Sequence, residues 1–316
     1  MPRSAHFGDW VALLALTLLW GTAFMFNELA LASFPPAVLV AGRILIATAV
    51  LFAFMRANGI RLPPLGRAWI PLLVMAVLGN VLPFQLIAWA QQYIDSSLAG
   101  ILMAVMPLFV LTLAHFLLPG SKLTPCRVVG FVVGFAGVVT IIGPEALRGL
   151  NKNTALWGTV AVLGAALSYS LNSIYARRLG AANPLQLSAG MLVAASLLSL
   201  PGAAVDVPGI VSPSLAATAS MVVLGLLSTG LATILYFRLV QGPGPAFLSF
   251  VNYLVPPCAV LAGALFLDET VSSSVYVGLS LILSGIAFSE LGARFNDVLR
   301  FRRLAAMRTG TVRGKA

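Results

Sequence analysis

Apolar runs of roughly membrane-spanning length recur from end to end of this chain, parted by short polar or Pro/Gly-rich breaks. They fall at residues 10–30, 37–56, 68–92, 96–118, 125–143, 155–177, 184–202, 215–239, 245–267 and 272–292. About 20 apolar residues suffice for a helix to cross a hydrocarbon core of roughly 30 Å, so the pattern predicts ten transmembrane helices. Turn chemistry marks the borders. Pro35-Pro36 and Asn183-Pro184 open the second and seventh runs, since proline suits a first helical turn. Asn58-Gly59 and Pro63-Pro64 break the chain before the third, and Gly242-Pro243-Gly244-Pro245 separates the eighth from the ninth.

The pattern occurs twice. Tyr93–Pro107 (YIDSSLAGILMAVMP) returns as Gly242–Pro256 (GPGPAFLSFVNYLVP): a break, small residues, then an apolar run reaching a proline. Trp10 and Trp157 open the first and sixth runs, Pro36–Gly42 matches Pro184–Gly190, Pro107 matches Pro256, and Gly137 matches Gly285. A register that holds across many positions argues for duplication. Because each unit has an odd number of spans, the second copy enters the membrane from the opposite side. The expected fold is an all-α integral membrane protein of ten transmembrane helices, built as two inverted five-helix repeats over 9–143 and 155–292 with a basic tail at 293–316. Inverted repeats suit a carrier that alternates between inward-open and outward-open forms. A duplication kept only for a stable scaffold is the competing reading.

Composition agrees. Hydrophobic residues are 59% of the chain and charged residues 9%, with a mean hydropathy of +0.99, too little charge to cover a soluble domain. The net charge of +10 does not gather into a nucleic-acid groove; it lies between the apolar runs. With ten spans, Arg3, Arg56, Arg61, Arg67, Lys122, Arg127, Arg177, Arg178, Arg238 and the seven basic residues of the tail share one side, 16 of the 19 Lys and Arg. Arg148 and Lys152 lie opposite, and Arg43 is inside the second span. The positive-inside rule then places both termini in the cytoplasm of a bacterial-type inner membrane. The tail is expected on the anionic leaflet, with Phe295, Leu299 and Phe301 turned inward. The N-terminal run resembles a signal peptide but exceeds the usual apolar length and has a counterpart in the second half. Cys126 and Cys258 read as unpaired small hydrophobes. His-Glu-x-x-His, Gly-x-Ser-x-Gly and paired intramembrane acids are all missing from the sequence, so no enzyme, metal or cofactor is expected.

Ten spans in inverted halves, Trp20-Gly21-Thr22-Ala23-Phe24 toward the end of the first span, and the Tyr93…Pro107 pattern together resemble the EamA-type drug/metabolite transporter superfamily over residues 9–292. The chain is most similar there to the YddG-type exporters of aromatic and other amino acids. Leu267-Asp268-Glu269 matches the family's acidic stop after the ninth span. Leu118-Pro119-Gly120 stands in its place in the first half, so that residue's role does not carry over. The resemblance implies an exporter of amino acids, aromatic and other neutral ones favoured, or of another small metabolite or drug. A channel is the remaining reading.

Candidate substrate-binding residues are polar or aromatic groups on broken or polar-rich spans near the repeat interface. Trp20 and Asn27 lie on the first span; Asn80, Gln85, Trp89 and Tyr93 on the third; Tyr169 and Asn172 on the sixth; Tyr236 on the eighth; Asn252 and Tyr253 on the ninth. Gln85, Trp89 and Tyr93 recur every four residues and share a face, which reads either as cavity lining or as an interface belt. Pro107 and Pro256 read as hinges or static kinks. Glu28 and Arg43 are expected first as an ion pair between neighbouring helices, with a substrate carboxylate on Arg43 as the second reading. His115 is expected to be structural, and no carboxylate falls at a span's midpoint, so a proton relay is not expected. The lining is otherwise neutral, aromatic and hydrogen-bonding, suited to a zwitterion with an apolar side chain. The expected partners are that solute and the bilayer, with the monomer as the working unit.

Overall fold

The computed structural model describes residues 5–118, 124–148, 154–179, 183–206 and 212–289. Expectations for the tail at 293–316, Lys122, Lys152 and Pro119-Gly120 fall outside them. Helices form the framework, and no strand occurs among the described residues. Seven helical stretches are long and apolar enough to cross a membrane: α1 (Phe7–Leu31), α2 (Pro36–Ala57), α3 (Trp69–Ala90), α4 (Ser96–Leu117), α6 (Thr154–Leu179), α7 (Pro184–Asp206) and α8 (Leu215–Gln241). Three shorter apolar helices complete the series: α5 (Pro125–Ile141), α9 (Val251–Phe266) and α10 (Ser273–Ser289).

Local sequence sets the ends. Pro36 occupies the first turn of α2, where its missing N–H costs nothing. Asn58 closes that helix by donating its Nδ2 to the Phe54 carbonyl (2.8 Å), and Gly59 takes φ 70, the left-handed turn that glycine accepts freely. Ser214 caps α8, its Oγ accepting from the Ala217 amide at 3.1 Å. Asn183 Oδ1 accepts the Leu185 amide at 3.0 Å at the start of α7.

Packing joins the two halves of the chain. α2 lies along α7 and α4 along α9; α3 packs on α6 and α7, while α8 packs on α1 and α2. α1 meets α9, as α6 meets α4. Thr48 on α2 and Ser196 on α7, 148 residues apart in the chain, hydrogen-bond through their hydroxyls at 2.8 Å. α5 and α10 cross at glycines. Gly130 abuts the Gly285 carbonyl, and a Cβ on Gly137 would stand 2.5 Å from the Gly278 oxygen. Helices without a hydrophobic drive between them gain from such close backbone approach.

Irregular turns recur in register as well. α3 widens to a π-turn at Val77–Val81 and α8 does so at Leu224–Leu231, freeing backbone carbonyls in corresponding places. α4 tightens through Met103–Val105 just before Pro107, so the break expected at that proline is present. In the second half the break falls earlier. A short helix, Pro245–Leu248, gives way to a turn before Val251, and Pro256 lies inside α9.

Candidate functional site

Arg43 is the eighth residue of α2, well within the apolar run, and only 9% of its surface is exposed. Burial brings its guanidinium against two other helices. Nε donates to Thr229 Oγ1 of α8 at 2.8 Å, and Cζ stands 3.9 Å from the centroid of the Phe84 ring on α3. Phe84 in turn meets Tyr169 of α6 edge-on, with centroids 6.4 Å apart. A cation over a ring face is attracted by the ring quadrupole, which offsets part of the cost of removing the charge from water. One turn along α3 from Phe84 lies Asn80, 3% exposed, whose Nδ2 has no hydrogen-bond partner among the described residues. One turn along α6 from Tyr169 lies Asn172, whose Oδ1 is likewise buried without a partner. The Asn172 amide leans on Gly79, where a Cβ would stand 2.5 Å from Nδ2.

A second cluster sits where α4 begins. The carboxylate of Glu269 accepts from Ser96 N (2.9 Å), Ser96 Oγ (2.6 Å), Ser97 N (3.0 Å) and Ser97 Oγ. Glu28, near the end of α1, accepts from the same Ser96 amide at 3.0 Å. The first-turn amides of a helix lack intrahelical partners and present positive potential, so carboxylates satisfy both deficits. Asp268 turns the chain back with φ 53, and Gly263 leaves room, since a Cβ there would collide with Glu269 and Ser97. Asp95, just outside the helix, has its pKa pushed up, first by desolvation and then by the charge of Glu269.

These placements correct several expectations. Glu28 and Arg43 do not pair: Glu28 turns to Ser96, and Arg43 to Thr229 and Phe84. Asn27 is 3% exposed and donates to Gln91 Oε1 at 2.8 Å, while Gln91 Nε2 donates to the Phe24 carbonyl at 2.9 Å. That amide pair is saturated and ties α1 to the end of α3. Trp89 and Tyr93 are 38% and 42% exposed and meet edge-on at 5.1 Å; Gln85, on the same face, is half-buried. Trp20 and Tyr236 meet across α1 and α8 with centroids 6.0 Å apart. Asn252 and Tyr253 are half-buried early in α9, and His115 is exposed late in α4. The missed residues Phe84 and Gln91 share with Asn80 and Ile87 a stripe at helical spacing, visible in the sequence as 80, 84, 87 and 91.

Comparison with known proteins completes the description. The EamA-like transporter family matches residues 6–143 and again 156–291. The inner membrane transporter YedA of Escherichia coli (strain K12) is 28% identical over 292 residues, covering 89% of this chain and 90% of that protein. The transporter YoaV of Bacillus subtilis (strain 168) is 25% identical over 279 residues, 87% of this chain and 94% of its own. A probable terminal-alkyne amino-acid exporter of Streptantibioticus cattleyicolor is 26% identical over 281 residues, 87% of this chain and 91% of that one. A crystal structure at 23% identity superposes with a TM-score of 0.66, covering 92% of this chain and all of the other, a likeness of fold.

Proposed function

We propose that this multi-pass membrane protein, which belongs to the EamA-like transporter family, exports small amino-acid-like solutes by alternating access between two inverted five-helix repeats. The observation that carries the reading is the register of its contacts. Exchanging the two halves of the chain turns the α1–α9 contact into α6–α4, α2–α8 into α7–α3, and the Gly130–Gly285 crossing into Gly278–Gly137. Thr48 and Ser196 exchange with each other. A two-fold axis in the membrane plane has this signature, and it allows two conformations of similar energy.

The resting form is open on one side. α4 and α9 pack together at the end where Glu269 and Glu28 clasp Ser96. Beyond Val105, α4 packs mainly on α6, with Tyr253 of α9 against the cluster of Ala104, Val105 and Leu108 and Asn252 half-buried early in the same helix. The open end carries the basic residues: Arg178 Nε donates to the Leu117 carbonyl (3.0 Å), and Gln186 Nε2 donates to the Arg61 carbonyl (2.7 Å). By the positive-inside rule that end faces the cytoplasm, with both termini. The solute therefore enters from inside, reaches Arg43, Asn80, Tyr169 and Asn172, and leaves when the Ser96 clasp parts.

Amino-acid-like solutes are favoured because one relative is named as a probable amino-acid exporter and because an unpaired donor, Asn80 Nδ2, and an unpaired acceptor, Asn172 Oδ1, are buried beside aromatic rings. Protein in liposomes preloaded with unlabelled amino acids should accumulate labelled amino acid by saturable counterflow. Flux that rises linearly with concentration, or single-channel current, would replace the carrier with a pore.

A further inference from the structure

We infer that Arg43 is the receptor for a carboxylate on the transported solute, so that this site selects small carboxylate-bearing molecules over their amide or ester forms. The inference rests on the transport reading above. It begins from a missing counter-charge. A guanidinium has five N–H donors in a planar fork, and Thr229 takes the one on Nε. Phe84 covers one face, and no carboxylate among the described residues lies at ion-pair distance from Arg43. Glu28 is committed to Ser96, and Glu269 to Ser96 and Ser97.

Two forked nitrogens thus remain with no acceptor among the described residues, on a side chain more than nine-tenths buried. A permanently uncompensated cation at this depth is expensive, and such groups in membrane helices mark solute pathways. The remaining fork matches a carboxylate bidentately, a geometry ammonium groups cannot reproduce. Thr229 and Phe84 fix the fork from two other helices, so the receptor is ordered before the solute arrives.

The neighbouring groups fit the rest of such a solute. The free Asn80 Nδ2 is a second donor, and the free Asn172 Oδ1 is an acceptor for a group such as an ammonium. The rings of Phe84 and Tyr169 lie alongside for an apolar portion. The two repeats differ here: the position matching Arg43 at the repeat spacing is Met191. A single receptor follows, with one solute per cycle.

Phenylglyoxal, which modifies guanidinium groups, tests this on the unaltered protein in nanodiscs, with the Arg43 peptide followed by mass spectrometry. The competitors are the twenty amino acids, benzoate and lactate, each beside its carboxamide. At least one carboxylate should slow modification by about tenfold or more, its carboxamide leaving the rate unchanged, as expected for a charge-assisted bidentate contact. Arg43→Lys should fold and keep weaker binding of the same solute in a thermal-shift assay, with the carboxylate preference reduced. Equal protection by carboxamides, protection by chloride alone, no protection by any compound, or an Arg43 that the reagent never reaches would each overturn the assignment. Counterflow that persists in any of these cases leaves the transport reading standing; failure of all counterflow with Arg43 still protected by a carboxylate removes transport and keeps the receptor.

Discussion

Replacing Glu269 with glutamine should loosen the closed end of the protein without unfolding it. The glutamate accepts four hydrogen bonds, from the amides and hydroxyls of Ser96 and Ser97. An amide of the same size keeps one accepting oxygen, so two of those donors lose their partner and the helix terminus loses its counter-charge. Hydrogen bonds to a charged group contribute about 1.5–3 kcal/mol each, and the exposed edge of the carboxylate allows water to replace part of the loss. A net cost of about 2–4 kcal/mol to the closed arrangement follows, or roughly a 30- to 700-fold shift toward forms open at that end. Ala262, 4% exposed on α9 beside this clasp, reports it. In a Cys126→Ser/Cys258→Ser background carrying Ala262→Cys, Glu269→Gln should accelerate alkylation by a membrane-impermeant maleimide by more than tenfold. Glu269→Asp, which withdraws the carboxylate by one methylene, should fall between. An alkylation rate within about twofold of the parent would refute the idea that this carboxylate holds the end shut.

Four further outcomes are expected. Asp95 has a raised pKa in the folded protein, so its folded form holds a proton to higher pH than the unfolded chain does, and stability falls as pH rises through that window. Asp95→Asn should therefore raise the melting temperature at neutral pH and give no gain below the usual aspartate range, as read by thermal unfolding from about pH 2.5 to about pH 8; a gain confined to acid pH would reverse the sign. Asn27→Leu strands the Gln91 amide and should cost about 1–3 kcal/mol, whereas Asn27→Leu/Gln91→Leu should cost less than the sum of the singles, measured by denaturation in detergent. Gly137→Leu drives a side chain into the Gly278 backbone and should destabilise by at least about 1–3 kcal/mol, with Gly164→Leu, whose nearest neighbour to an added Cβ is the end of Leu86 at 3.5 Å, much milder. Trp89→Ala should leave counterflow near the parent rate because its ring contact is with Tyr93, outside the Arg43 cluster; loss of counterflow in a folded variant would place it in the solute path.

The helical framework was legible because apolar run length and proline or glycine punctuation are local signals. Pro36, Asn58-Gly59 and Asn183 end or begin helices in the structure where their chemistry predicts it. The family was legible from Trp20–Phe24, Tyr93–Pro107 and Leu267–Glu269. Partnership was not. Glu28 and Arg43 look like natural partners on adjacent helices, yet which way each side faces depends on packing against α4 and α8, far away in sequence. The stripe at 85, 89 and 93 stands out in the sequence because its aromatics are large, while the stripe at 80, 84, 87 and 91 is the one the fold buries. Asn27, expected among the substrate-binding residues, instead donates to Gln91, a partner 64 residues away that no local pattern points to. The break before α9 preceded Pro256 because Gly242–Pro245 and the turn at 249–250 already interrupt the helix.

Exchange between the two halves is tested most directly by paired spin-label distances at both ends of α4 and α9. In a cysteine-free background, Phe116→Cys with Leu254→Cys reports the open end, and Tyr93→Cys with Thr270→Cys reports the clasped end; all four positions are exposed. Each pair should show two populations, and added solute should move them in opposite senses, one end closing as the other opens. A single distance at each end, unmoved by any transported solute, or both ends opening together, would contradict the account.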